Sequence, residues 1–146
     1  MNDQSGAEFQ NAFWAAKQAL MNAAATAYAR HGVYDGQQFI LRCLWAEDGL
    51  APGEIARRLG LSTPTVTRAT TRMEAAGLLR REPHATDRRL VRLHLTDRGR
   101  KLERVIEEES DRLVDRALIT LDAAERERFV SALRAIERNL GRADGE

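Results

Sequence analysis

The stretch PGEIARRLGLSTPTVTRATTRMEAAG, residues 52–77, decides the fold of this chain. Its first part predicts a short helix, because three apolar residues recur at helical spacing on one stripe: Ile55, Ala56 and Leu59. Gly60 follows, and glycine readily takes the positive φ that a sharp turn after a helix requires. Leu61 is expected to anchor this turn with an apolar side chain.

A second helix is predicted at residues 63–76. Ser62 is typical of an N-cap, since its hydroxyl accepts from a free backbone N–H of the first turn. Pro64 suits that same turn, where a missing N–H costs nothing. Helix, glycine turn and capped helix at this spacing predict a helix-turn-helix motif.

The second helix separates into two faces. The side toward the protein interior is predicted to carry Val66, Ala69, Thr70 and Met73. The other side has hydroxyl groups and arginines and no acid before Glu74, whereas an ordinary solvated helix would mix both signs of charge. Short hydroxyls allow close approach to a major groove, and arginine pairs with guanine through two hydrogen bonds. We therefore predict DNA contacts from Ser62, Thr63, Pro64, Thr65, Thr67, Arg68, Thr71 and Arg72, with Arg68 and Thr65 on base edges.

Beyond Gly77 the pattern changes to that of strands. Residues 91–95, VRLHL, alternate apolar and polar side chains as a half-buried strand does. The intervening HATDRR, residues 84–89, is polar and rich in arginine, so strand, loop and strand predict a basic wing beside the second helix. We expect Arg88 and Arg89 to enter the minor groove, and Asp87 to fix the tip by bonding nearby backbone or arginine.

The net charge of +1 hides an uneven distribution. Residues 1–56 carry a net charge of −3, residues 57–104 carry +8 and residues 105–146 carry −4. A positive segment between acidic ends indicates a phosphate-binding surface on a protein that otherwise repels DNA. The charge therefore agrees with double-stranded DNA as a partner.

Residues 55–99 resemble the winged-helix core of the MarR family of bacterial transcription regulators. The matching motifs, in order, are LGLS at 59–62, TVTR at 65–68, EAAGLL at 74–79, DRR at 87–89 and LTDRG at 95–99. Leu90 departs from the pattern, because that family more often has a small residue after DRR. The resemblance implies a mainly α fold, with a winged helix-turn-helix that has a two-stranded wing hairpin and with a helical dimerisation lobe built from both chain ends. It also implies a ligand-responsive repressor, with a small-molecule effector such as an aromatic acid.

The chain ends carry apolar stripes that need a partner. One predicted helix near the N-terminus and two after the wing carry these stripes at helical spacing: Phe9, Phe13, Ala16, Leu20, Ala23, Ala24 and Ala27; Leu102, Val105, Ile106, Leu113, Ala117, Leu118 and Leu121; and Phe129, Leu133, Ile136 and Leu140 after an Asp122 cap. An intramolecular bundle would bury these stripes, but we favour a homodimer because one helix-turn-helix reads too few bases. The expected organisation is a single MarR-like domain, 1–146, with dimerisation helices at about 7–30 and 100–142 and a DNA-binding lobe at about 35–99.

Other classes of function find less support in the sequence. No GxSxG, HExxH or GxxxxGK motif is present, so we predict no enzyme, no cofactor and no metal site. An architectural protein that binds DNA without sequence preference remains an alternative, although such proteins favour apolar wedges and a wide basic surface. The operator is expected to be palindromic, and the effector-binding residues are left unassigned.

The single cysteine, Cys43, offers a second alternative, a redox-sensing regulator. A lone cysteine among Ile40, Leu44 and Trp45 is more typical of a small core residue. One cysteine, no signal-like N-terminus and no stretch of about 20 apolar residues predict a cytoplasmic protein without a membrane partner.

Overall fold

The computed structural model describes residues 3–87 and 89–141. These residues separate into two compact units, divided between Asp111 and Arg112. The helices and strands of the described chain are α1 (Asp3–Ala29), α2 (Gln37–Ala46), α3 (Pro52–Leu59), α4 (Thr63–Ala75), β1 (Leu79–Pro83), β2 (Val91–Leu95), α5 (Asp97–Ala117) and α6 (Ala123–Gly141). Within this part of the chain, no helix is both long enough and apolar enough to span a membrane.

The first unit has one hydrophobic core, formed where α2, α3 and α4 pack beside the two-stranded sheet. The core side chains include Val33, Ile40, Leu41, Leu44, Ile55, Val66, Met73, Leu78, Leu79, Leu93, Leu95 and Ile106. The predicted inner face of α4 is confirmed: Val66, Thr70 and Met73 are fully buried, and Ala69 packs partly against the core. The opposite face of α4 is therefore the one that a ligand can reach.

The turn between α3 and α4 matches its prediction in the backbone but not at Leu61. Gly60 has a φ of 66°, and Ser62 Oγ accepts from the backbone N–H of Thr65 at 3.2 Å. The expected apolar anchor was wrong, because the Leu61 side chain is 47% exposed. Its backbone does the anchoring instead, through an N–H that donates to the carbonyl of Ala56 at 2.9 Å.

Strands β1 and β2 form an antiparallel hairpin in which Leu79 pairs with Leu95 and Pro83 with Val91. The alternation predicted for β2 is confirmed: Leu93 and Leu95 are buried, whereas Arg92 is exposed. Gly77 enters the hairpin from α4 with a φ of 75°. The hairpin is thus attached directly to the C-terminal end of α4.

A tight junction joins this hairpin to α5. Thr96 Oγ1 donates to the carbonyl of Gly77 at 2.6 Å and accepts from the N–H of Gly99 at 3.1 Å. The Trp45 indole N–H donates to the Gly99 carbonyl at 2.9 Å. A Cβ at Gly99 would lie 2.1 Å from the backbone oxygen of Leu78, so only glycine fits here. The LTDRG motif therefore allows α5 to pack closely against the end of α4 and the sheet.

The long terminal helices expose much of their apolar stripes. Phe9 and Leu20 of α1 are 51% and 47% exposed, and α1 buries its stripe only near Ala27 and Tyr28. Among the described residues, α6 buries none, and Phe129, Leu133 and Leu140 are all exposed. The stripes predicted for the first and last of these helices therefore exist on α1 and α6 and are largely uncovered in the single chain.

Helix α5 is shorter than expected. The predicted helix ran to Leu121, but α5 ends at Ala117, so Leu118 and Leu121 lie in the connection to α6. The carbonyls of both leucines accept hydrogen bonds from Arg126, at 2.9 and 3.1 Å, instead of from a continuing helix. The Asp122 cap of α6 is confirmed, since Asp122 Oδ1 accepts from the N–H of Glu125 at 2.8 Å.

Candidate nucleic-acid interface

The outward face of α4 carries the side chains predicted to contact DNA. Seven of the eight are exposed, namely Ser62, Thr63, Pro64, Thr65, Arg68, Thr71 and Arg72, and Thr67 is half-buried. They lie together because the buried side chains of α4 alternate with them at helical spacing. The face combines hydroxyl groups with the two guanidinium groups of Arg68 and Arg72, and it has no carboxylate. Such a surface offers hydrogen bonds to base edges and phosphates.

The arginines of this face are only loosely held by the protein. Arg68 Nη2 lies 3.5 Å from Thr65 Oγ1, at the limit of a hydrogen bond. Arg72 Nη1 lies 3.9 Å from Asp35 Oδ2, and the side chains of both partners are largely exposed. Exposed ion pairs of this kind contribute little, so both guanidinium groups can turn toward a ligand at small cost.

Thr71 is different, because its hydroxyl already has protein partners. It donates to the carbonyl of Thr67 at 2.8 Å and accepts from Arg81 Nη2 at 2.8 Å. Thr71 is exposed, but a base contact from its oxygen would compete with these bonds. Its predicted role on DNA therefore stays a prediction.

The described part of the wing tip presents one strongly exposed arginine. The Arg89 side chain is 92% exposed, and Asp87 Oδ1 accepts from its N–H at 3.1 Å and its Nε at 3.3 Å. The Asp87 carbonyl also accepts from the N–H of Leu90 at 3.0 Å. Asp87 thus connects the backbone and the guanidinium of the tip. The other predicted minor-groove residue, Arg88, lies outside the described residues.

Several arginines of the basic segment have carboxylates beside them. Arg57 and Arg58 of α3 both bond Glu54, and these hydrogen bonds lower the pKa of the Glu54 carboxyl. Arg80 Nε donates to Glu82 Oε1 at 2.7 Å, and this bond likewise lowers the pKa of Glu82. These pairs reduce the effective charge of the segment. Glu54 lies outside residues 57–104, so its bonds to Arg57 and Arg58 mean that the net charge of +8 overstates what DNA would meet.

Sequence reasoning missed two arginines that support the interface. Arg81 of β1 bonds the side of α4, and Arg98 Nη1 donates to the carbonyl of Ala76 just beyond the last residue of α4, at 2.9 Å. Both contacts depend on the strand register and on how α5 starts. The spacing of residues within one helix or strand does not predict these contacts.

Cys43 lies on α2, half-buried against the core. Burial raises the pKa of its thiol, and the nearby Arg58 charge offsets this only in part. A thiol with a raised pKa has little thiolate at neutral pH and reacts slowly with oxidants. The surroundings of Cys43 therefore match a packing residue.

Comparison with known proteins places this fold. A model of the MarR family matches residues 33–91, which span α2 to the start of β2. The crystal structure of a MarR transcriptional regulator from Methanosarcina mazei Go1 has a TM-score of 0.81 and 21% identity, covering 92% of this chain and 97% of that chain. The HTH-type transcriptional regulator TtmR of Methylorubrum extorquens (strain PA1) is 39% identical over 92 residues, 63% of this chain and 47% of the relative. Residues 33–91 thus match the MarR family, and the chain has the fold of MarR transcriptional regulators.

The fold expected from the MarR resemblance is confirmed: a mainly helical chain with a winged helix-turn-helix. A second structure, a putative MarR family transcriptional regulator from Listeria monocytogenes complexed with 26mer DNA, has a TM-score of 0.77 and 20% identity. That match covers 90% of this chain and 87% of the other. The chain spans about half the length, 47%, of its relative TtmR.

Proposed function

We propose that this protein is a sequence-specific, DNA-binding transcription regulator of the MarR family. The observation that carries the proposal is the exposed hydroxyl and arginine face of α4, which lies in the same compact unit as a wing with Arg89 at its tip. A helix of this chemistry fits a major groove, and an arginine-bearing hairpin beside it fits the adjacent minor groove.

The relatives support this assignment. TtmR is named a transcriptional regulator, and the Listeria structure contains a family member bound to DNA. In the proposed complex Arg68 and Thr65 contact base edges, whereas Arg72 and Ser62 position the helix against phosphates. Arg88 and Arg89 serve the minor groove, and Asp87 holds the tip.

We further propose that the protein acts as a homodimer on a palindromic operator. Two α4 helices related by a twofold axis would reach successive major grooves about 34–36 Å apart. The uncovered stripes of α1 and α6 support this, because exposed apolar side chains in a row favour association. In this arrangement residues 7–30 and 100–142 form the dimerisation helices, and residues 35–99 form the DNA-binding lobe.

The regulator is proposed to be a repressor that responds to a small molecule such as an aromatic acid. This part of the proposal rests on the resemblance to the MarR family. By linkage, an effector that weakens operator binding must bind the DNA-free dimer more tightly by the same factor. The alternative switch, oxidation of Cys43, is disfavoured by the burial of that thiol.

Selection from random duplexes tests the DNA-binding proposal directly. The protein is incubated with a pool of randomised duplexes, bound DNA is amplified over several rounds, and the enriched sequences are compared. We expect an inverted repeat whose halves are one helical turn apart, bound at least about 10³-fold more tightly than random DNA. Binding without any enriched sequence would favour the architectural alternative and contradict a sequence-specific regulator.

A further inference from the structure

We propose that Arg81 is a positioning residue that locks the wing onto α4, so that the major-groove and minor-groove elements meet DNA in one fixed arrangement. The inference rests on the proposed DNA-binding function and adds to it a residue that does not itself contact DNA. It comes from a set of hydrogen bonds between β1 and the side of α4.

The Arg81 guanidinium reaches three oxygen atoms of α4 with a single nitrogen. Its Nη2 lies 3.2 Å from the carbonyl of Thr67, 3.2 Å from Thr70 Oγ1 and 2.8 Å from Thr71 Oγ1. The backbone N–H of Arg81 also donates to Glu74 Oε2 at 3.0 Å. One residue of the wing strand therefore bonds four residues of α4, over two turns of the helix.

The two threonine hydroxyls are already oriented to accept from Arg81. Thr70 Oγ1 donates to the carbonyl of Val66 at 2.9 Å, and Thr71 Oγ1 donates to the carbonyl of Thr67 at 2.8 Å. A hydroxyl has one hydrogen and two lone pairs, so each oxygen keeps acceptor capacity for the guanidinium. Thr70 is fully buried and the Arg81 side chain is only 27% exposed, which protects these bonds from water.

The charge around Arg81 fits the same role. Glu74 Oε1 lies 3.7 Å from Arg81 Nε, so α4 supplies the counter-charge as well as the hydrogen bonds. A guanidinium with this carboxylate beside it and its terminal nitrogen turned into α4 is poorly placed to neutralise a phosphate. Lysine could not replace it, because a single ammonium nitrogen cannot both contact the α4 oxygens as Nη2 does and lie beside Glu74 as Nε does.

Thr71 shares this supporting role. Its hydroxyl is part of the contact with Arg81, so Thr71 supports DNA reading by holding the wing and not by bonding a base. Replacing Arg81 should leave the outer face of α4 intact while the wing loses its fixed direction.

The test compares Arg81→Lys and Arg81→Ala with Arg80→Ala. Arg80 is an exposed neighbour on the same strand that bonds Glu82 and, at 3.4 Å, the Leu95 carbonyl within the hairpin, but it is not bonded to α4. Hydroxyl-radical footprints report minor-groove contact, and methylation interference at guanine N7 reports major-groove contact. With either Arg81 variant, we expect minor-groove protection at the wing to be lost and major-groove interference to remain. We also expect selectivity for the selected site over random DNA to fall about tenfold, the equivalent of one or two hydrogen bonds. Arg80→Ala should retain both patterns.

Salt dependence separates positioning from direct phosphate contact. A phosphate contact would make the slope of log K against log salt shallower by about 0.9 in Arg81→Ala, and Arg81→Lys would restore it. The proposal expects the slope to become shallower to the same extent in both variants, because a wing without its fixed direction takes Arg89 away from the DNA. A slope that Arg81→Lys restores would therefore overturn it. Melting temperatures measured in parallel show whether each variant is folded. If Arg81→Ala does not fold, Arg81→Lys still provides the test.

A readout without DNA keeps this inference distinct from the proposed function. Amide hydrogen exchange in the free protein should become faster in β1 and β2 of Arg81→Lys and stay unchanged in Arg80→Ala. Unchanged protection of the wing in Arg81→Lys would overturn the locking role whatever the protein binds. Failure of the wild type to enrich any DNA sequence would instead overturn the proposed function.

Discussion

At Gly99, the start of α5 packs closely against the backbone of Leu78, the residue just before β1. A Cβ here would lie 2.1 Å from the Leu78 carbonyl oxygen and 3.1 Å from Leu95 Cδ2. Both neighbours are buried, and the closer atom belongs to the backbone, so the clash cannot be relieved by turning a side chain. The glycine of the LTDRG motif is therefore needed for space, independently of its backbone angles.

We predict that Gly99→Ala lowers the free energy of unfolding by about 2–3 kcal/mol, near the upper range of overpacking in a well-packed core. Gly53→Ala is the matched control, because the added methyl would meet only Thr63 Oγ1 at 3.9 Å. Urea denaturation of both variants measures the difference. Equal stability of Gly99→Ala and wild type would show that the junction can open without cost.

Cys43 leads to a second prediction about a single side chain. Because burial raises the pKa of its thiol, we expect slow alkylation by iodoacetamide at neutral pH and a DNA affinity that peroxide does not change. Operator binding is measured before and after peroxide for wild type and Cys43→Ser. Loss of binding in the wild type alone would establish the redox alternative.

The wing depends on the carboxylate of Asp87, which holds Arg89. Arg89→Ala should weaken binding and reduce the salt slope by about 0.9, because one fewer counterion is released from phosphate. Asp87→Ala should also weaken binding although it removes a negative charge, because Asp87 Oδ1 holds the Arg89 N–H and Nε. Fluorescence anisotropy at several salt concentrations measures both effects. Tighter binding by Asp87→Ala would mean that the carboxylate merely repels DNA.

Helix α4 was predictable from its sequence because its signals are local. The Ser62 cap, the early proline and the spacing of Val66, Thr70 and Met73 specify start, direction and buried face without reference to the rest of the chain. The exposed face of α4 followed from the same spacing.

Other features could not be predicted, because they depend on contacts distant in sequence. The end of α5 at Ala117 reflects bonds from Arg126, and the exposure of Leu61 reflects where the core ends. The spacing of apolar residues alone predicts a helix that continues past Ala117 and a buried side chain at Leu61. The contact of Arg81 with α4 likewise exists only because the hairpin register brings that arginine beside two threonines.

At the level of the whole molecule, the apolar faces of α1 and α6 are the main unexplained surface of the single chain. Trp14 is 58% exposed and Leu140 is 69% exposed, and both belong to helices with further exposed apolar residues. Single exposed apolar side chains are ordinary, but continuous rows of them indicate an interaction surface. A second copy of the chain is the partner that the proposed operator geometry requires.

We therefore expect light scattering at micromolar concentration to give twice the chain mass of 16.4 kDa. Leu133→Glu places a charge within the apolar row of α6 and should shift the protein toward monomer. Ser131→Glu adds the same charge on the opposite side of that helix and should leave the dimer intact. A wild-type mass near 16.4 kDa would contradict the dimer.

The exposed face of α4 is proposed to read DNA sequence, and the most direct test is the effect of Arg68→Ala on binding to two kinds of DNA. Binding to the selected operator and to random duplexes is measured at one salt concentration, with Arg104→Ala as a control for the loss of one exposed positive charge. We predict that Arg68→Ala costs about 1–3 kcal/mol on the operator and much less on random DNA. An equal loss on both would contradict the claim and reduce Arg68 to a phosphate contact.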